Sequence, residues 1–231
     1  ATNCVPLGNL LMQFPRGPVT NALVVINMVV ALILLVPQWW DYAVLSGGLF
    51  PIRLSGDSSQ FENLGFLVPA FLTPLSAAFL HGGLMHVILN MVMLLLIGKM
   101  VERVLGGGIY IFLYLVGAYA AAGTEWLASV MQWPMSVDMS APAIGASGAI
   151  SAIIGAYVLL FPNKQPTAWG PIPANIARPL HLTLAWVALN LAMGFVGPSV
   201  GLGIAIWSHI GGFVVGLFLA RPLLLWRYRK A

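Results

Sequence analysis

Charged residues are scarce in this chain: they make up 7% of its 231 residues, against about a quarter in a typical water-soluble domain. Hydrophobic residues reach 60%, and the mean hydropathy is +0.93. This composition excludes a soluble domain with a charged surface. The pI near 9.5 does not predict nucleic-acid binding, because the basic residues flank apolar segments and do not form a basic face.

Cysteine occurs once, at Cys4, so the chain cannot form an intramolecular disulfide. The apolar runs also lack the alternation of polar and apolar residues that a membrane β-barrel requires. Several runs reach the roughly 20 residues with which a helix crosses a bilayer. We therefore predict an all-α integral membrane protein.

The residues that interrupt these apolar runs predict a six-transmembrane-helix bundle in a single membrane domain. Breaker residues such as Pro179 bound the predicted spans, and Trp39 and Trp40 mark the interfacial end of the first. The spans lie near 20–40, 82–101, 109–131, 146–162, 180–197 and 201–222. The chain then divides into a tail over 1–19, a membrane domain over 20–226 with a long outer loop over 41–81, and a basic tail over 227–231.

The basic residues predict the orientation of the bundle. If the N-terminus is inside, nine of the ten Lys and Arg residues lie on the inner side and only Arg53 lies outside. Because basic residues are enriched on the cytoplasmic side, both termini are predicted to be cytoplasmic and Ser147 to begin a span at the outer surface. We expect contact with membrane lipid, and a bacterial inner membrane, because the core is compact and shows no extra span or transit sequence.

Polar side chains that can ionise or form several hydrogen bonds occur at few positions within the spans, where they are costly and by default indicate function. His86 and Asn90 lie in the second span, His209 in the sixth, and Ser147 at the start of the fourth. His86 and Asn90 are four residues apart and so share one helix face. The predicted threading places all these groups in the outer half of the membrane.

Close packing of spans four and six would bring Ser147 to His209. Gly212 and Gly216 form a small-xxx-small face one turn below His209, which favours such packing. A histidine that accepts the serine proton activates the hydroxyl oxygen for attack on a carbonyl. The sequence offers no carboxylate as a third member, so we expect a Ser–His dyad in which packing orients His209.

At these residues the chain resembles the rhomboid family of intramembrane serine proteases. The resemblance covers roughly 70–220 and is carried by HGGLMHVILN at 81–90, GASG at 145–148 and SHIGG at 208–212 followed by Gly216. Each motif alone is weak, but their order, spacing and predicted membrane side make the set specific.

The resemblance implies that Ser147 is the nucleophile and His209 its base, with no cofactor. It makes His86 and Asn90, together with the backbone N–H of Ser147, the oxyanion hole that stabilises the developing negative charge. It also implies that the substrates are membrane proteins with a transmembrane segment. That segment would be cleaved near the outer face through an acyl-enzyme.

Five further residues are expected to support this site. By the resemblance, His81 is structural near the outer loop, and Gly212 and Gly216 are tight contacts between spans four and six. Gly145 and Gly148 flank the serine and leave room for a substrate backbone.

The chain also departs from the family pattern. Many members carry a Trp-Arg pair in the outer loop, where this chain has Leu72 and Thr73. A common aromatic residue one turn below the nucleophile is here Ser151. The first departure concerns how the loop is anchored, and the second concerns how His209 is held.

Three alternatives compete with this interpretation. His81, His86 and His209 could bind zinc, but the chain has no HExxH motif and no glutamate beside them, so we expect no metal. A family relative without activity would bind membrane proteins and not cut them. A transporter would carry polar residues to the inner side, whereas the spans below Ser151 and His209 close off with apolar residues.

Overall fold

The structure is a computed structural model that describes residues 16–161, 172–197 and 203–229. These ranges fold into helices without a β-strand, and Leu49 and Ala143 form an isolated antiparallel bridge. The α-helices are α1 (Pro18–Ile33), α2 (Pro37–Gly47), α3 (Pro51–Leu54), α4 (Thr73–Ser76), α5 (Leu84–Met93), α6 (Lys99–Leu105), α7 (Gly107–Val130), α8 (Ser147–Leu160), α9 (Ala174–Val196) and α10 (Ile206–Tyr228). Short 3-10 helices lie at Ser59–Phe61, Ala70–Leu72 and Ala77–Phe79, and a π-helical segment, Leu94–Gly98, joins α5 to α6.

The long apolar helices make this an integral membrane protein. Among the residues that the structure describes, four segments are long and apolar enough to cross a membrane, and they are Leu84–Leu105, Gly107–Val130, Ile176–Val196 and Ile206–Tyr228. The predicted first and fourth spans correspond to α1, with 16 residues, and α8, with 14. Both are shorter than the roughly 20 residues that cross a bilayer, so helix length supports four of the six predicted spans.

The predicted first span, 20–40, is wrong at its C-terminal end. α1 ends at Ile33, and Pro37 begins α2, so Trp39 and Trp40 belong to a separate helix. Proline has no N–H and disfavours helical geometry in the residue before it, and Val36 is indeed extended.

The segment 41–81, predicted as a loop, is largely helical turns around a small core of its own. Arg53 holds it together from inside: the guanidinium donates hydrogen bonds to the carbonyls of Ser46 at 3.4 Å and Val68 at 2.5 Å. It also lies 5.3 Å from the centre of the Phe61 ring. This internal anchoring comes from a different position than Leu72 and Thr73, where the family pattern would place it.

The predicted fifth span was expected to begin after Pro179, but α9 begins at Ala174 and contains Pro179. The proline lies in the second turn, where it removes a single backbone hydrogen bond, a loss that membrane helices tolerate. α9 is also the least buried of the four long helices: 6% of its apolar window is buried inside the protein, against 33% or 39% for the others.

The core lies where α7, α8 and α10 pack against one another. Glycines let the backbones of α8 and α10 touch, since a Cβ on Gly212 would overlap the carbonyl oxygen of Gly148, and one on Gly155 would overlap that of Phe213. The predicted small-residue contact between these helices is thus present. It places the N-terminal turns of α8 and α10 side by side.

Candidate active site

Ser147 is the first residue of α8 and follows a turn that only glycine forms easily. Gly145 has φ of +119°, a conformation that side chains with a Cβ rarely adopt. Its N–H donates to the carbonyl of Ala77 at 2.9 Å, which fixes the loop to the segment before α5. The GASG motif therefore begins α8 directly at Ser147 and places the Ser147 hydroxyl at the N-terminal end of the helix.

The structure brings Ser147 and His209 together. Nε2 of His209 lies 2.8 Å from Oγ of Ser147. On its other side, Nδ1 of His209 lies 2.7 Å from Oδ1 of Asn190 in α9. Because an amide oxygen can only accept, the proton of neutral His209 belongs on Nδ1, and Nε2 is left to accept the serine proton.

We expected packing, and not a buried acid, to orient His209, and the structure adds a hydrogen bond from its ring to the neutral amide of Asn190. Asn190 was missed in the sequence, although it is an amide inside a predicted span and meets the same criterion as Asn90. Its separation from His209 along the chain gives no helical register between the two. Only the packing of α9 against α10 makes them neighbours.

His86 and Asn90 point toward the loop that precedes the serine. A Cβ built on Gly145 would lie 2.7 Å from Nε2 of His86 and 3.6 Å from Nδ2 of Asn90. Nδ1 of His86 accepts the N–H of Gly82 at 3.3 Å, which places the proton of the neutral ring on Nε2. Nδ2 of Asn90 is buried and has no protein hydrogen-bond partner among the described residues. Two donors thus converge two residues before Ser147.

His81 lies just outside α5, edge-on to His86 with ring centres 5.0 Å apart. Burial, and secondarily the neighbouring His86, lower the pKa of His81 to about 4. Trp40 donates its indole N–H to the carbonyl of His81 at 2.9 Å. His81 therefore connects α2 to the beginning of α5.

Glu125 is a buried carboxylate in α7. Its two oxygens accept the backbone N–H of Val137 at 2.8 Å and that of Ser208 at 2.9 Å. Ser208 is in the first turn of α10, where the unpaired backbone N–H groups and the helix dipole favour a nearby negative charge. Glu125 therefore fixes the backbone immediately before His209.

Two cavities lie near the candidate pair. One of about 40 Å³ lies beside Ser147 and is lined mainly by small residues. The other, of about 440 Å³, is bordered by His86, by the loop over 135–144 and by the residues just before α10. Within the described ranges, no three His, Cys, Asp or Glu side chains group closely enough to hold a metal ion.

These features define an integral membrane protein with a polar site between its helices. The chain belongs to the rhomboid family: the family model described as "Rhomboid domain" matches residues 70–226, which include every candidate site residue predicted from the sequence.

Two groups of curated relatives support this assignment. "RHOMBOID-like protein 5" of Arabidopsis thaliana is 30% identical over 155 residues, which cover 65% of this chain and 43% of that protein. "Rhomboid protease GlpG" of Yersinia pestis (strain Pestoides F) is 27% identical over 209 residues, which cover 90% of this chain and 64% of the relative. GlpG of Yersinia pseudotuberculosis serotype O:3 (strain YPIII) matches to the same extent. The matched part is thus less than two thirds of each relative's length.

Proposed function

We propose that this protein is an intramembrane serine endopeptidase that cleaves transmembrane segments of other membrane proteins. The observation that carries the proposal is the distance of 2.8 Å between Oγ of Ser147 and Nε2 of His209. The bond of Nδ1 to the amide oxygen of Asn190 assigns the tautomer in which Nε2 accepts a proton. Membership of the rhomboid family and the similarity to proteins named rhomboid protease support it.

In the proposed reaction, His209 takes the Ser147 proton on Nε2 while Oγ attacks the scissile carbonyl. The tetrahedral oxyanion accepts hydrogen bonds from Nε2–H of His86 and Nδ2–H of Asn90. His209 then returns the proton to the leaving amine, and an acyl-enzyme remains on Ser147. A water molecule activated by His209 hydrolyses the acyl-enzyme, which releases the second product and restores the serine.

We further propose six spans, cytoplasmic termini and cleavage near the outer face, because that threading agrees with the distribution of basic residues. The shortness of α8 supports this arrangement, since Ser147 would begin below the outer surface, with the 440 Å³ cavity above it as the path for water and substrate. A substrate helix must unwind locally there, because its carbonyls are otherwise bound within the helix.

The proposal is tested with purified protein and a panel of single-span substrates reconstituted in liposomes. Wild-type protein should cut at least one substrate and react with a serine-directed fluorophosphonate. Ser147→Ala and His209→Ala should lose cleavage while retaining a cooperative unfolding transition, and labelling should be lost in Ser147→Ala. Ser46→Ala and His181→Ala are matched controls and should cut normally.

Cleavage by either dyad variant at the wild-type rate would contradict the assignment. Substrate binding by wild-type protein without cleavage or labelling would instead identify an inactive relative that binds membrane proteins.

A further inference from the structure

Asn190 is buried on a helix that is otherwise largely exposed on the surface of the protein. It is 2% exposed, although only 6% of the apolar window of α9 is buried. A buried amide is costly unless its donors and acceptor are bonded. Its position therefore requires a partner, and the partner it meets is the imidazole of His209.

The hydrogen bonds of Asn190 define which way its amide faces. Nδ2 donates to the carbonyl of Trp186 at 2.8 Å, one turn earlier in α9. Because that carbonyl can only accept, the NH₂ group must face it and Oδ1 must face His209. The bond to His209 then requires a proton on Nδ1, and this keeps the lone pair of Nε2 directed at Ser147.

The residue one turn below the nucleophile does not perform this task. The hydroxyl of Ser151 donates to the carbonyl of Ser147 at 2.7 Å, so it is bonded within its own helix. The aromatic contact comes from α9 instead: the Trp186 ring is tilted toward His209 with centres 6.5 Å apart. It also stacks on Phe213 at 5.9 Å. The hydrogen bond to Nδ1 and this aromatic contact thus both come from one turn of α9.

We propose that Asn190 is a positioning residue that fixes the tautomer and the ring orientation of His209. Ser147, His209 and Asn190 then form a hydrogen-bonded triad whose third member is neutral. This inference rests on the proposed protease function. A neutral amide orients the ring as a carboxylate would, but it adds no negative charge to stabilise the imidazolium. The role predicts two different responses to substitution, one in rate and one in pH dependence.

The first variant removes the amide. In Asn190→Leu, His209 can adopt the other tautomer or rotate, and we expect kcat to fall by about 10- to 100-fold with little change in KM, a loss of the size that small misplacements cause. The matched control is Asn27→Leu, because Asn27 is also buried and donates to the carbonyl four residues earlier at 2.8 Å, but lies in α1. The control should cut at a rate close to wild type once the folded fraction is matched.

The second variant replaces the neutral acceptor with a charged one of the same shape. Asn190→Asp should retain activity, and the acidic limb of its kcat/KM–pH profile should move up by about one pH unit or more, because the carboxylate favours protonated His209. If residue 190 did not face the imidazole, the Asp variant would change thermal stability without moving this limb. The Asp variant decides the question even if the Leu variant does not fold.

Wild-type pH dependence in Asn190→Asp, or a wild-type kcat in folded Asn190→Leu, would overturn the positioning role. Either result leaves the protease proposal intact as long as wild type cuts and Ser147→Ala does not. Conversely, the absence of wild-type cleavage would refute the proposed function and this inference with it.

Discussion

Gly216 of α10 lies directly against the carbonyl of Ala152 in α8. A Cβ built on Gly216 would overlap that carbonyl oxygen and would lie 2.7 Å from the carbonyl carbon. Both neighbouring atoms belong to a helix backbone, so no side-chain rotation can relieve the contact. The spacing between α8 and α10, and with it the distance from Ser147 to His209, is set by backbone atoms.

Gly216→Val is therefore expected to separate the two helices or prevent folding. We expect a loss of about 3 kcal/mol or more of unfolding free energy, comparable to severe overpacking, and loss of cleavage in whatever protein still folds. The matched control is Gly123→Ala in α7, where a Cβ meets nothing within 4 Å and should be neutral or stabilising. Thermal unfolding followed by tryptophan fluorescence in detergent measures both. Equal stability of the two variants would show that the helices are not in backbone contact.

Asn90→Ala should slow cleavage without abolishing it. The buried Nδ2 of Asn90 is one of two converging donors, and removal of a single oxyanion donor typically costs about 10²–10³ in kcat. Substrate titration should assign the loss to kcat and not to KM, because the donor acts on charge that develops only during the reaction. Asn27→Ala controls for the loss of a buried amide. Unchanged kcat in Asn90→Ala would remove Asn90 from the proposed oxyanion hole.

Glu125→Gln should destabilise the start of α10. Both carboxylate oxygens accept backbone N–H groups, and glutamine retains only one acceptor, so the N–H of Val137 or Ser208 loses its partner. We expect a loss of about 1–3 kcal/mol, with slower cleavage because His209 follows Ser208 directly. The exposed Glu62 gives the control, Glu62→Gln. The two variants are compared by melting temperature and by initial cleavage rate, and a wild-type melting temperature in Glu125→Gln would refute the expectation.

Mild acid should destabilise the protein through His81. Its pKa is about 4 in the folded state and near 6.5 when unfolded, so between these values the unfolded chain binds the proton and the folded protein does not. Stability from this residue is complete above about pH 6.5 and falls by at most about 1.4 kcal/mol per pH unit as the pH decreases toward 4. His81→Phe keeps an aromatic ring at this position but removes the titratable imidazole. Melting temperatures at pH 7, 6 and 5 should fall less in this variant, and parallel curves would exclude the contribution of His81.

Much of the site could be predicted from the sequence because its residues are anomalies in their surroundings. Ser147 between glycines, and His86, Asn90 and His209 in apolar helices, are each costly where they stand. The helix contact at Gly212 was predicted from the spacing of Gly212 and Gly216. This contact depends on the absence of a side chain, which can be read directly from the sequence.

The contacts of Asn190 and Glu125 could not be predicted from such local anomalies. Asn190 is as anomalous as Asn90, but its role depends on how α9 packs against α10, which no local pattern encodes. Glu125 stabilises two backbone N–H groups, and backbone partners leave no trace in a residue pattern. The break between α1 and α2 had a signal in Pro37, but the apolar run continues through it and obscured the turn.

Ser147 and His209, the proposed nucleophile and base, lie on helices in backbone contact, whereas Asn190, the proposed positioning residue, lies on the least buried of the four long helices. A bilayer that displaces α9 would therefore change the orientation of the His209 ring. It would leave unchanged the helix spacing that sets the distance from His209 to the Ser147 hydroxyl. For the proposed protease, we therefore expect the turnover rate to change with bilayer thickness and acyl-chain order, through the orientation of the His209 ring.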